Sequence, residues 1–212
     1  MLYGVCIDNV DTLREFGLIL CADLKISKPK LKENRVDIPG GDGSLNMSYS
    51  PQGYPVFKDR SISFTLFKPM GETEREQLAS DLCNRWGGRE VSLILPNDED
   101  HFWTGTIEFG DISGYNSGKI PVSMTVHPYK KRVRQTVRKI QGNGSVTLVN
   151  ERMPVAPSIS NSAEATLSWE GKSVTLEQGE HVIPQLMLQQ GNTVIGVTTS
   201  GEVTFTYREG SL

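Results

Sequence analysis

The side chains able to do chemistry are few and poorly grouped. His101, His127 and His181 are the only histidines, they lie far apart in the chain, and no HExxH pattern sets two imidazoles on one helix face as zinc ligands. Asp98, Glu99 and Asp100 crowd three carboxylates together, but without the alternating ligand spacing and central glycine of an EF-hand loop, so a solvated turn is the favoured reading. There is no GxSxG elbow and no GxxxxGK[ST] loop. Gly40-Gly41-Asp42-Gly43 is not followed by a helix pattern that would present backbone N–H groups to a phosphate. Cys6, Cys21 and Cys83 are odd in number and contain no CxxC pair, which argues against a disulfide framework or a zinc site and for buried reduced thiols. These residues predict no catalytic site, no metal and no cofactor.

Two features suggest binding instead. Lys130, Lys131, Arg132, Arg134, Arg138 and Lys139 crowd six cations into ten residues, as phosphate neutralisation in nucleic acid requires. Only Tyr129 offers a ring for stacking nearby, and an extended strand would split the charges between its two sides, so an exposed interdomain strand is favoured over a nucleic-acid site. Trp169 could stack on a pyranose ring. Leu167, Val174 and Leu176 form one apolar set with it around a hairpin, however, and packing in a core is the simpler role.

The elements that would position these groups are mostly strands. Ile62, Phe64 and Leu66 alternate with Ser61, Ser63 and Thr65, and Val122, Met124 and Val126 repeat the pattern, as half-buried strands do. Further strands are expected over Leu2 to Ile7, Phe16 to Leu24, Arg89 to Leu95 and Phe102 to Phe109, with a turn at Pro96 to Asp100. One helix is predicted over 73–86. Thr73 and Glu76 have capping-box spacing, Leu78, Leu82 and Trp86 share a stripe with Ala79 and Cys83 beside it, and Gly87-Gly88 supplies a left-handed stop. Between Asp37 and Arg60, four glycines and three prolines, in Asp37-Ile38-Pro39-Gly40-Gly41-Asp42-Gly43 and Ser50-Pro51-Gln52-Gly53-Tyr54-Pro55, predict an exposed loop or protruding hairpin.

The 212 residues exceed the usual single-domain size and favour two modest domains. Residues 1–139 hold 19 Lys/Arg against 18 Asp/Glu, while 140–212 hold 3 against 7, so the halves differ in charge. The glycine-rich Gln141-Gly142-Asn143-Gly144 marks the expected boundary, giving domains over 1–139 and 140–212. The second domain reads as a small β-sandwich with about six strands. These run over Val146/Leu148, Leu167/Trp169, Val174/Leu176, Val182 to Leu188, Val194/Val197 and Val203/Phe205/Tyr207. No apolar run approaches the roughly 20 residues needed to span a bilayer, and the N-terminus lacks signal-peptide character, so cytoplasmic synthesis is expected.

The order of these features resembles the distal tail proteins of siphovirus-type bacteriophages and prophages. The resemblance is carried by Asp37 to Gly43, Arg60 to Phe64, the helix ending at Trp86-Gly87-Gly88, Val91-Ser92-Leu93-Ile94-Leu95-Pro96-Asn97-Asp98 and the closing Gly201 to Gly210. It implies a mainly β protein: an N-terminal β-sandwich-like domain with one flanking helix and a long hairpin, followed by a small galectin-like β-sandwich. It further implies a homo-oligomeric ring, typically a hexamer, in the virion tail tip or baseplate. That ring would join the tail tube protein to tail-tip hub and fibre proteins, with tape-measure and receptor-binding proteins as further candidate partners, and leave a channel for DNA. Under this resemblance Ile38, Pro39, Tyr54 and Phe57 are the expected ring contacts, and the protein is not an enzyme.

The alternative is a carbohydrate-binding module for host-envelope glycans, with Trp169 as the sugar contact. Two departures weigh against it. The C-terminal domain has no room for an inserted carbohydrate module, and His181 is followed by Val182, Ile183 and Pro184 rather than by the His-x-Asn-x-Arg of sugar-binding galectins. A cell-wall hydrolase is disfavoured more strongly, because no acid/base or nucleophile constellation is present.

Overall fold

A computed structural model describes residues 2–50, 53–110 and 118–212. Met1, Pro51 and Gln52 lie outside the described residues. The chain divides into two compact units, Met1–Lys130 and Lys131–Leu212, each with its own apolar core.

The first unit begins with β1 (Cys6–Ile7) and β2 (Val10–Asp11), joined by Asp8 and Asn9, both at positive φ. The expected strand over Phe16 to Leu24 is instead split. Asp11 accepts hydrogen bonds from the N–H groups of Leu13 and Arg14, which caps the short helix α1 (Thr12–Phe16), and Gly17 at φ 72° ends it. The chain then forms only β3 (Ile19–Leu20) and β4 (Lys25–Ile26), followed by the ribbon strands β5 (Arg35–Asp37) and β6 (Ser44–Asn46). The longer strands are β7 (Arg60–Phe67), β8 (Glu90–Leu95), β9 (Asp98–Phe109) and β10 (Lys119–Val126), with α2 (Glu72–Trp86) between β7 and β8.

Sheet order is β2-β1-β8-β9-β10-β7-β3, antiparallel throughout, with β4 also pairing β7. Leu20 N–H donates to Tyr3 O at 2.7 Å, so the sheet curls back on itself. Ile62, Phe64 and Leu66 on β7 and Val122, Met124 and Val126 on β10 are buried, as their alternation predicts. Gly105 on β9 is fixed by the neighbouring strand, since a Cβ there would meet Thr125 O at 2.1 Å. The turn between β8 and β9 is tighter than expected, because pairing resumes at Asp98 opposite Leu95.

Helix α2 starts one residue earlier than predicted and by another device. Gly71 is its N-cap with no side-chain cap, so Thr73 and Glu76 form no capping box; Glu72 and Glu74 complement the positive helix end instead. At the other end the Gly87 N–H closes on Cys83 O, and within the Gly87-Gly88 pair the left-handed residue is Gly88 (φ 68°). Leu82 and Trp86 are buried, and Phe16 meets Trp86 edge-on at 5.9 Å, which ties α1 to α2. The cysteines correct another expectation. All three are free, but Cys6 and Cys21 are only half-buried and Cys83 is exposed on the outer side of α2.

The second unit is a sandwich of two four-stranded antiparallel sheets. After β11 (Lys130–Arg132) come β12 (Thr136–Gln141), β13 (Gly144–Asn150), β14 (Ser158–Asn161), β15 (Ala165–Trp169), β16 (Lys172–Leu176), β17 (Gly179–Val182), β18 (Gly191–Thr199), β19 (Glu202–Tyr207) and β20 (Gly210–Ser211). One sheet has the order β12-β19-β14-β17, the other β13-β18-β15-β16. The boundary expected at 139/140 therefore falls inside this unit. Gln141 to Gly144, with Gly142 at φ 68°, is where the chain crosses from the first sheet to the second. The strand expected over Val182 to Leu188 ends at Val182, because Pro184 enters a turn closed by Leu186 N–H on Ile183 O.

Two buried asparagines clasp this unit. The Asn150 side-chain amide donates to Met153 O and Leu188 O, and that of Asn161 to Ala163 O and Glu177 O. No helix among the described residues is long and apolar enough to cross a membrane.

Separate cores should fail separately. Leu93→Ala in the first unit and Leu167→Ala in the second, both fully buried, should each cost about 2–5 kcal/mol. Hydrogen exchange should place the loss in the mutated unit; equal loss of protection in both units for either variant would contradict this.

Candidate functional site

The most unusual surface of the first unit is the ribbon that leaves the sheet after β4 and returns at β7. Its root is stapled. Ser27 N–H donates to Ser61 O, Ser61 N–H donates to Ser27 Oγ at 2.8 Å, and Arg60 Nε donates to Ser27 O at 2.8 Å. Arg60 is 8% exposed and its guanidinium lies 4.6 Å above the Trp103 ring; burial lowers its pKa from the ordinary arginine value. Above the root, Lys58 N–H donates to Lys30 O and Lys32 N–H to Val56 O. Ser48, almost fully buried, accepts the Asn34 N–H through its hydroxyl.

At the tip, β5 and β6 pair Arg35 with Asn46, Val36 with Leu45 and Asp37 with Ser44. Gly40 (φ 73°) and Gly43 (φ 79°) take the left-handed conformations of the connecting turn. Side chains alternate across a pleat, so Val36 and Leu45 share one face, continued by Ile38 and Met47, while Arg35, Asp37, Ser44 and Asn46 share the other. All four apolar residues lie in solvent: Val36 and Ile38 are 47% exposed, Leu45 57% and Met47 54%.

The four sequence-predicted contacts divide between tip and base. Ile38 and Pro39 are exposed at the tip; Tyr54 and Phe57 are half-buried near the base, where Phe57 meets Tyr129 edge-on at 5.9 Å. Sequence reasoning missed Val36, Leu45, Met47 and Tyr49. Their signal was present, as Val36/Ile38 and Leu45/Met47/Tyr49 alternate on either side of the glycine turn.

The other candidate groups are engaged locally. Asp98 Oδ1 accepts from His101 Nδ1 at 2.7 Å, and its other oxygen takes the Lys130 ammonium. Burial pushes the Asp98 carboxyl up, but those two partners outweigh it and its pKa lies below the ordinary aspartate value. His127 lies 3.6 Å from Glu90, and His181 Nε2 is 2.7 Å from Glu177 O. Half of the basic stretch is neutralised in ion pairs: Lys130 with Asp98, Arg132 with Glu151 at 2.8 Å and Lys139 with Glu202 at 3.0 Å. Trp169 is 6% exposed and part of the second core, so its ring face is not offered to a sugar.

No protein-family model matches the chain, and no curated protein matches it. Among solved structures the chain is similar to the crystal structure of the SPP1 Dit (gp 19.1) protein, described as a paradigm of the hub adsorption apparatus in phages infecting Gram-positive bacteria. The TM-score is 0.65 at 15% sequence identity, over 100% of both chains. At that identity the likeness is one of fold, and the fold is the mainly β one of the SPP1 Dit protein.

Ser48 should act as the keystone of the ribbon. Ser48→Ala leaves the Asn34 N–H without its acceptor, at a cost of about 1 kcal/mol. Exchange of the Asn34 amide should accelerate while protection in the second unit stays unchanged; an unaltered Asn34 rate would remove that role. For Asp98, a depressed folded pKa stabilises above the ordinary carboxylate pKa of about 3.9 and is lost as pH falls through the folded value. The stability gap between wild type and Asp98→Asn should therefore be widest near neutrality and close in acid, as read from urea unfolding across pH.

Proposed function

We propose that this chain is a structural component of a phage tail tip. Copies associate through the first unit into a closed ring that joins the tail tube to hub, fibre and receptor-binding proteins and leaves a passage for DNA. The observation that carries the proposal is the exposed apolar face of the β5–β6 ribbon. A lone two-stranded ribbon is marginal in water, and four apolar side chains on one face lower its free energy only when something covers them. The fold likeness to SPP1 Dit, a protein of a phage adsorption apparatus, supports reading that cover as another subunit.

A non-catalytic role accords with the polar groups. The carboxylates, imidazoles and ammonium groups singled out in the sequence are held in local ion pairs and backbone hydrogen bonds, which suits surface stability more than turnover. The burial of Trp169 gives the glycan-binding alternative no aromatic platform at that position.

Purified full-length protein should form a closed particle of about six chain masses of 23.5 kDa, with a central hole in negative-stain images, or should close when the neighbouring tail proteins are added. A chain that stays monomeric at every concentration, with and without those partners, and is missing from phage particles would defeat the proposal.

A further inference from the structure

Between its root and the β5–β6 tip, the stem of the ribbon concentrates positive charge on an otherwise acidic chain. Residues 25–60 hold seven Lys/Arg against four Asp/Glu, while the rest of the chain holds 15 against 21. The register that sets Ile26 opposite Ile62 continues up the stem, with Ser27 bonded to Ser61 and Leu31 bridged to Phe57. Lys28 therefore stands opposite Arg60 and Lys30 opposite Lys58, and strand alternation puts Lys28, Lys30, Lys32 and Lys58 on one face. Asp59 falls on the other face with Leu31 and Phe57, 4.0 Å from His127.

All four lysines are exposed, and none has an ion-pair partner among the described residues. The basic stretch over 130–139 differs in this respect, since half of its cations are neutralised. Setting Lys30 directly across from Lys58 also has a cost. Like charges about 5 Å apart on facing strands repel, and a two-stranded stem has little packing to offset that. An anion that spans both strands removes the repulsion.

The geometry limits which anion fits. Alternate residues of a strand stand about 7 Å apart, so the three lysines of the outgoing strand are spread over about 14 Å. A single phosphate or carboxylate meets one or two of them; a linear polyanion meets all. The face has no aromatic ring, and its one apolar residue, Val56, is half-buried, so it lacks the anchors that hold protein partners. Lysine binds phosphate as a point charge, and contact with a nucleic-acid backbone needs no more than that.

Resting on the reading above for the choice of polymer, we infer that this lysine face contacts the phosphate backbone of double-stranded DNA, without regard to base sequence. The acidic remainder of the chain repels DNA and leaves the stem as the point of contact. Such contact is electrostatic and salt-sensitive, which suits a polymer that has to slide past rather than stay.

In anisotropy titrations, full-length protein should bind a short fluorescein-labelled duplex with an affinity that falls as salt rises and is the same for unrelated sequences. The slope of log K against log salt should lose about 1 in magnitude in Lys30→Ala and about 2 in Lys30→Ala with Lys58→Ala, whereas Arg134→Ala with Arg138→Ala should leave it unchanged. Lys58→Glu gives a second readout that lost folding would not imitate. It should weaken duplex binding by about tenfold or more, yet slow exchange of the Lys32 amide, which donates to Val56 O, because the cross-strand pair becomes attractive. Duplex binding that is absent at low salt, or equal in wild type and the lysine variants, would overturn the contact whether or not rings are seen. A poly-glutamate peptide that binds as tightly as the duplex, with the same dependence on Lys30 and Lys58, would overturn it in favour of an acidic protein partner. A wild type that binds the duplex through these lysines but never associates would support the contact and count against the ring.

Discussion

One constraint governs the first unit: the apolar face of its β5–β6 ribbon lies in solvent. Four side chains, each about half exposed, stand on one face of a two-stranded element whose other face is polar. Burial is worth about 25 cal/mol per Å² of apolar surface, so covering such a face yields a few kcal/mol, comparable with a sizeable fraction of a domain's net stability. A segment shaped this way is costly as a free appendage and useful as an adhesive. The rest of the unit can be understood as what presents it.

Presentation requires a stiff root, and the root is where the unit spends its least common interactions. A buried guanidinium over an indole, bonded to the carbonyl of Ser27, is an expensive way to close a loop unless the position of that loop matters. Gly105 sits beside this cluster for a related reason. The strand carrying Trp103 runs so near Thr125 and Val126 that no Cβ fits at Gly105, and Val126 is in turn paired with Arg60. The reciprocal pair between Ser27 and Ser61 then aligns the outgoing and returning strands. Below the root, the core of Ile62, Phe64, Leu93, Trp86 and Val126 is ordinary close packing.

How much of this was legible depended on the length of the signal. β7, β10 and α2 were readable because period-two or period-3.6 patterns run through them for two or more turns or pleats. The segments before residue 30 were not, since two-residue strands carry no periodicity. The Phe16 to Leu24 run looked like one strand although Asp11 and Gly17 already punctuate a short helix there. The domain boundary was misplaced because a glycine-rich turn looks the same between domains as between two sheets of one sandwich. Only the pairing of β12 with β19 distinguishes the two cases. At the ribbon the glycines and prolines announce exposure, and the exposed face itself is carried by the alternation of Val36/Ile38 and Leu45/Met47/Tyr49 beside them, whereas Tyr54 and Phe57 are half-buried.

The two units differ in where their exposed apolar side chains lie. In the second, both sheets turn their largest side chains inward, Trp169 and Phe205 included, while valines such as Val182 and Val194 stay on the outside, and Asn150 and Asn161 pin loops to strand ends. The first keeps the apolar face of its ribbon, and Leu2 and Tyr3 at the chain start, open to solvent. In a closed assembly of identical copies, every contact must repeat the same rotation, and an angular error at one contact is multiplied around the circle. Affinity alone cannot correct that error, because a strong but pliable contact also stabilises open chains. Under the ring proposal, rigidity at Ser27, Arg60 and Trp103 would therefore decide whether association ends in a ring or a filament, while the apolar face would decide only how tightly neighbours hold.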